Sequence, residues 1–169
     1  MTTLSTALHS FLTMDDESRA RSFQVGTGGR VNGRTSRDCP RGHILLAQPK
    51  SSENDIRVTI TSEFMSQWKP AAWKDAGLKG KKVEVLLSTT QPGFVMFRPV
   101  APDTIGLGIY RLEQPSVDGQ ARLMTTRRYL DRRLGSPVEF VPFEVEGDLA
   151  MADLRKLKDL ASDTTPLSI

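Results

Sequence analysis

Strict apolar–polar alternation marks residues 56–60, where Ile56, Val58 and Ile60 fall on one face and Arg57 and Thr59 on the other. That is the pattern of a strand with one buried side. An apolar run at 44–47 precedes it across the polar turn Gln48-Pro49-Lys50-Ser51-Ser52-Glu53-Asn54-Asp55, so the two segments read as a hairpin. Thr61 or Ser62 then caps a short helix with Phe64, Met65 and Trp68 on its apolar face. Pro70 cannot sit inside that helix. It opens a further turn over 70–76, which Gly77 ends. Trp68 and Trp73 read as packing residues rather than stacking platforms. Strands at 83–87 and 94–97 flank Gln91-Pro92-Gly93, and Pro99 and Pro102 close the unit.

The same order of elements then recurs. Apolar runs at 105–112 and 121–124 lie on either side of an Asp118-Gly119 turn signal. Thr126 caps a helix over 127–134, ended by Gly135 and Pro137, and strands at 138–143 and 149–151 meet at Glu146-Gly147. The landmarks match in order. Gln48-Pro49 corresponds to Gln114-Pro115; Arg57-Val58 follows nine residues after the first Gln and Arg122-Leu123 eight after the second. A capped helix comes next in each, and then Val83-Glu84-Val85 or Val138-Glu139-Phe140. Such a series implies an internal duplication of a ββαββ unit, 44–99 and 105–152, the second without the insertion that carries Pro70 and Trp73. Either unit alone is marginal in size, so the two are expected to share a core.

The ends add amphipathic helices. Leu4, Leu8, Phe11 and Leu12 share one face within 1–22, and Leu154, Leu157 and Leu160 share one within 152–161, inside a C-terminal segment of 153–169 whose last residues fray. Residues 23–43 form a Gly/Arg-rich arm with almost nothing to bury, read as flexible. Its Gly26-Thr27-Gly28-Gly29 lacks both the Gly-Lys-Ser/Thr ending of a Walker loop and full GxGxxG spacing, which argues against nucleotide binding.

Charge changes the picture more by its distribution than by its sum of +3. Residues 19–43 hold six Arg and one acid, 122–133 hold five Arg and one Asp, and 139–169 hold seven acids and three bases. A basic front and middle suit a polyanion, although an ordinary solvated surface would look the same. The absence of an apolar run near ~20 residues argues against a membrane span. One cysteine, Cys39, forbids an intrachain disulfide and suits a reducing, cytoplasmic setting. The N-terminal segment lacks the basic start of a signal peptide. Cys39 and His43 are spaced C-x₃-H, but His9 is the only other histidine, so neither a metal nor another cofactor is expected. No triad, HExxH or paired-carboxylate motif points to catalysis.

The hairpin, Arg-led strand, short helix after Thr, Val-Glu-apolar strand and final hairpin together resemble the AbrB/MazE-like swapped-hairpin domains of bacterial and archaeal regulators. The stretch RVTITSEFM…GLKGKKVEVLL…FVMFRP carries most of the likeness. Two departures stand out: only the Arg of the family's Gly-Arg step is kept, at Arg57 and Arg122, and Thr61 and Thr125 replace the Pro after the second strand. The resemblance implies a mainly β fold with short helices, in which duplicated ββαββ units interleave their hairpins into a cradle-loop or swapped-hairpin β-barrel. Double-psi barrels share this layout. It also implies a DNA-binding transcription regulator rather than an enzyme, with Arg57 and Arg122 at the strand starts and Lys50 in the hairpin turn meeting DNA. The arginine-rich helix adds Arg127, Arg128, Arg132 and Arg133, with Arg128 and Arg132 as i,i+4 neighbours in one positive stripe. Arg30 and Arg34 of the arm add phosphate contacts. The expected partner is nucleic acid, DNA rather than RNA. The alternative is a protein-interaction module, an antitoxin-like inhibitor or a subunit of a larger nucleoprotein assembly, held through the terminal helices. Both a self-sufficient monomer and a homo-oligomer fit the duplication.

Overall fold

Every strand pair is antiparallel, as expected of short alternating segments joined by tight turns. The computed structural model describes residues 2–15, 17–18, 39–77, 80–113 and 119–160, with the backbone alone at 23–25. Arg30, Arg34, the Gln114-Pro115 landmark and the tail beyond 160 lie outside the described residues. In chain order the elements are α1 (Leu4–Thr13), β1 (Phe23–Val25), β2 (His43–Ala47), β3 (Asp55–Ile60), α2 (Ser62–Gln67), a 3₁₀ turn (Ala71–Trp73), β4 (Lys82–Ser88), β5 (Phe94–Val100), β6 (Ile109–Arg111), β7 (Ala121–Thr126), α3 (Arg127–Leu130), β8 (Arg132–Arg133), β9 (Val138–Glu146), β10 (Leu149–Asp153) and β11 (Lys158–Asp159).

The principal sheet runs β4-β5-β10-β9-β2-β3-β7. On the other side of β4, β6 pairs along 82–84 and β1 along 86–88. Glu113, just past β6, bridges Arg122 of β7, so the sheet nearly closes into an antiparallel barrel. Tyr110 and Tyr129 pack edge to face across this seam at 5.5 Å, and the Tyr110 hydroxyl lies 3.3 Å from Thr125 Oγ1. This near-closure shortens the free edges on which other chains could pair.

The alternation read from sequence sets the faces. Ile56, Val58 and Ile60 point into the barrel and are at most 2% exposed. They join Ile44, Leu46, Val83, Val85, Val95, Phe97, Leu123 and Val141 in one core. Phe64 and Met65 of α2 and Tyr129 and Leu130 of α3 enter the same core. Tyr129 is fully buried, and its hydroxyl donates to the Val85 carbonyl. Trp68 and Trp73 are core residues too, and each indole N–H has a carbonyl acceptor: Asp148 O at 2.9 Å and Lys82 O at 2.8 Å. A second cluster lies outside the barrel wall, where α1 lays Leu4, Ala7, Leu8 and Phe11 on Leu86, Phe94, Met96 and Met151. Thr3 caps α1 by accepting from the Thr6 N–H at 3.1 Å.

Two helices differ from the sequence reading. The one expected over 127–134 stops after a single turn, because Asp131 takes the left-handed conformation (φ 52°) and the chain leaves as strand β8. The helix expected over 152–161 does not form. Residues through Asp153 belong to β10, Leu154 N–H donates to Gly93 O at 2.7 Å, and Lys158–Asp159 pair with β8. Leu154 and Leu157 are buried in the barrel core, so their three-residue spacing serves a turn that tertiary packing selected over a helix. Gly93 is required at that crossing. Its φ is +97°, and a Cβ there would come within 2.7 Å of the Arg155 side chain.

Candidate nucleic-acid interface

The first hairpin turn, α3, β8 and β11 meet in a cleft of about 240 Å³ lined by Gln48, Glu53, Asp55, Ile56, Arg127, Arg133, Leu134, Gly135 and Lys158. Local chemistry brings them together. The Gln48 N–H donates to Pro137 O at 2.8 Å and the Arg127 N–H to Asn54 O at 2.9 Å, which ties the hairpin turn to α3 and to the segment before β9. Thr126 Oγ1 accepts from the Tyr129 N–H at 3.0 Å, capping α3 and fixing where Arg127 leaves the helix. The left-handed residue Asp131 then reverses the chain, and β8 pairs with β11 in the register Lys158↔Arg133 and Asp159↔Arg132.

That register separates the two neighbouring arginines. Arg132 is 6% exposed, and its guanidinium forms an ion pair with Asp159 and donates to Asp131 O at 3.3 Å. It holds β11 in place. Arg133 points the other way, directly opposite Lys158, and Arg127 completes a set of three cations on the cleft wall. Like charges directly opposite on paired strands repel, which favours an anion between them. Glu53 and Asp55 line the same cleft and offset part of the positive potential, leaving one net positive charge among the lining residues.

The arginine stripe expected on one helix is therefore distributed over three environments. Arg127 and Arg133 reach the cleft, Arg128 is exposed on α3, and Arg132 is consumed in a structural pair. Lys50 is exposed in the hairpin turn whose Gln48, Glu53 and Asp55 line the cleft. Arg57 and Arg122 sit together on the face of β3 and β7 turned away from the core, since Arg57 pairs with Met124 and Thr59 with Arg122. Arg57 is 3% exposed; burial first and the neighbouring Arg122 charge second pull its pKa down to about 10, so it remains charged at neutral pH. Arg122 is half-buried. Lys158 had no sequence signal, because the leucine spacing around it matches a helix.

Removal of the Asp159 carboxylate should leave the buried Arg132 charge without its ion-pair partner. Because Asp159 is itself mostly exposed, Asp159→Ala is expected to destabilise the fold by about 1–2 kcal/mol, measured as a shift in urea midpoint. Unchanged stability would show that β11 is not held by this pair.

Elsewhere the reactive side chains are quiet. Cys39 Sγ donates to His43 O at 3.3 Å, and burial, followed by the Glu63 charge, pushes its thiol up to about 11. A protonated thiol is a poor nucleophile. Glu84 forms an ion pair with Arg98 on the neighbouring strand, and Asp153 binds Arg155 through both carboxylate oxygens at 3.0 and 2.8 Å. Among the described residues no group of three His, Cys, Asp or Glu side chains is arranged to hold a metal ion. No helix among the described residues is long and apolar enough to cross a membrane. The chain matches no protein-family model, no curated protein and no solved structure.

Proposed function

We propose that this is a non-enzymatic nucleic-acid-binding protein of the DNA-regulator type, built as a duplicated swapped-hairpin barrel. It grips backbone phosphates in the cleft between its two halves. The convergence of Arg127, Arg133 and Lys158 carries the proposal, with Arg128 and Lys50 exposed on the same elements. Phosphate contact is the ordinary role of such cations, and it fixes register without reading sequence.

The pairing supports the duplication behind this reading. Each hairpin of one half lies between hairpins of the other: β2-β3 between β9 and β7, and β9-β10 between β2 and β5. Alignment of Arg57 with Arg122, 65 positions later, makes Val58 equivalent to Leu123, and these two face each other in the β3/β7 register. Alignment of Val83 with Val138, 55 positions later, makes Met96 equivalent to Met151, and these face each other across β5/β10. A two-fold relation between the halves requires such self-paired positions. The same offset of 65 puts the buried Phe64 and Met65 of α2 on the buried Tyr129 and Leu130 of α3. The halves then differ where function would: Ser62 and Glu63 of α2 stand where α3 has Arg127 and Arg128.

The test is binding of a fluorescein-labelled duplex, measured by anisotropy at low salt, for the unaltered protein and for Arg127→Ala/Lys158→Ala. Loss of two phosphate contacts is expected to weaken binding by about tenfold or more. Failure of the unaltered protein to bind either duplex or single strands at low salt would overturn the proposal.

A further inference from the structure

A second cationic surface lies outside the cleft, on the insertion that only the first half possesses. Trp68, Pro70, Ala71 and Trp73 floor an open groove of about 370 Å³, and Lys69, Lys74 and Lys81 rim it. Among the described residues no carboxylate lines the groove, and none of these three lysines has an ion-pair partner. Lys81 Nζ lies 5.6 Å from the centre of the Trp73 ring, which orients it over the groove wall. Ammonium groups spaced around an apolar floor complement a ligand that is negative at its edges and apolar at its centre.

Two chemistries share that description at first sight, and the tryptophans separate them. A nucleobase would need an open ring face for stacking. Trp68 and Trp73 are only 1% and 5% exposed and pack edge to face at 4.7 Å. Their N–H groups are already committed to the Asp148 and Lys82 carbonyls. What remains available is Ala71, the exposed residue of the floor, beside the buried Pro70 and Trp73: a seat for one aliphatic side chain inside an ammonium rim suited to carboxylates.

We infer that this groove docks an acidic peptide segment of a partner protein, with one aliphatic side chain against Ala71 and carboxylates on Lys69, Lys74 and Lys81. This surface is separate from the phosphate cleft, and the inference does not depend on nucleic-acid binding.

Trp68 and Trp73 are the chain's two tryptophans, so the groove carries its own fluorescent reporter. The probe is a synthetic peptide of alternating Glu, Leu and Asp, followed by both tryptophan emission and titration calorimetry. Saturable binding that weakens as salt rises is expected. Lys69→Glu/Lys74→Glu should raise Kd by at least about tenfold, since it sets like charges against each other. Both lysines are exposed, so this variant should keep the native circular dichroism spectrum. A peptide with Ser in place of Leu should bind more weakly, and Arg127→Ala/Lys158→Ala should bind the acidic peptide unchanged. The inference is overturned by absence of calorimetric binding, by equal binding of a Gln-for-acid peptide, or by an unchanged Kd in the charge-reversed variant. Competition by a single-stranded oligonucleotide that perturbs tryptophan emission where the peptide does not would assign the groove to nucleic acid instead.

Discussion

Cut in the loop after Asp103, the chain is expected to yield two fragments, 1–103 and 104–169, that are unfolded when separate and fold when mixed. The reason is topological. Both lateral neighbours of hairpin β2-β3, β7 and β9, come from the second fragment, and those of β9-β10, β2 and β5, come from the first. Alone, the first fragment would hold the lone hairpin β2-β3 and a β1-β4-β5 sheet covered by α1 on its outer face only, and the second would hold two hairpins; each has unpaired edges and an uncovered barrel-side face. The core is divided in the same way, since Ile56, Val58 and Phe64 pack with Leu123, Tyr129 and Phe143 in one cluster. Amide spectra of each fragment should be poorly dispersed, and the equimolar mixture should recover the dispersion of the intact protein. Cooperative unfolding of either fragment by itself would contradict the interleaved arrangement.

Trp68→Ala is expected to destabilise the intact protein by about 3–5 kcal/mol, as large aromatic truncations in a closed core do. Trp68 is 1% exposed and packs edge to face on Trp73 at 4.7 Å and on Phe143 at 6.3 Å. Its N–H also joins the segment after α2 to the β9–β10 turn through Asp148 O. The truncation therefore opens a cavity and removes the hydrogen bond that ties this segment to the β9–β10 turn. Urea unfolding followed by circular dichroism measures it. The adjacent exposed Lys69→Ala, expected within about 0.5 kcal/mol of the original, is the control. A small effect at Trp68 would place the true core elsewhere.

Much of the barrel was legible from the chain because period-two patterning and turn residues are local signals. Ile56, Val58 and Ile60 announced the inward face of β3, and Gln91-Pro92-Gly93 and Glu146-Gly147 announced the β4–β5 and β9–β10 turns. Less legible were the segments where tertiary pairing overrode local spacing. Leu154 and Leu157 fit a helix in sequence, yet their burial and the Arg132–Asp159 pair made the segment a turn and a strand. The arginines show the same limit from the side of function. Five of them cluster within 122–133, but only pairing decides that Arg133 faces Lys158 while Arg132 turns inward. Nor could spacing reveal that Arg57 would be out of solvent, since β3 alternates identically whether its second face is wet or covered.

Binding of nucleic-acid phosphates in the cleft, as proposed, should show in the salt dependence of duplex affinity. Each phosphate contact contributes about −0.9 to the slope of log K against log salt. Engagement of Arg127, Arg133 and Lys158 predicts a slope of about −3 for the unaltered protein and about −1 for Arg127→Ala/Lys158→Ala. Equal slopes for the two proteins, or affinity that does not fall as salt rises, would contradict it.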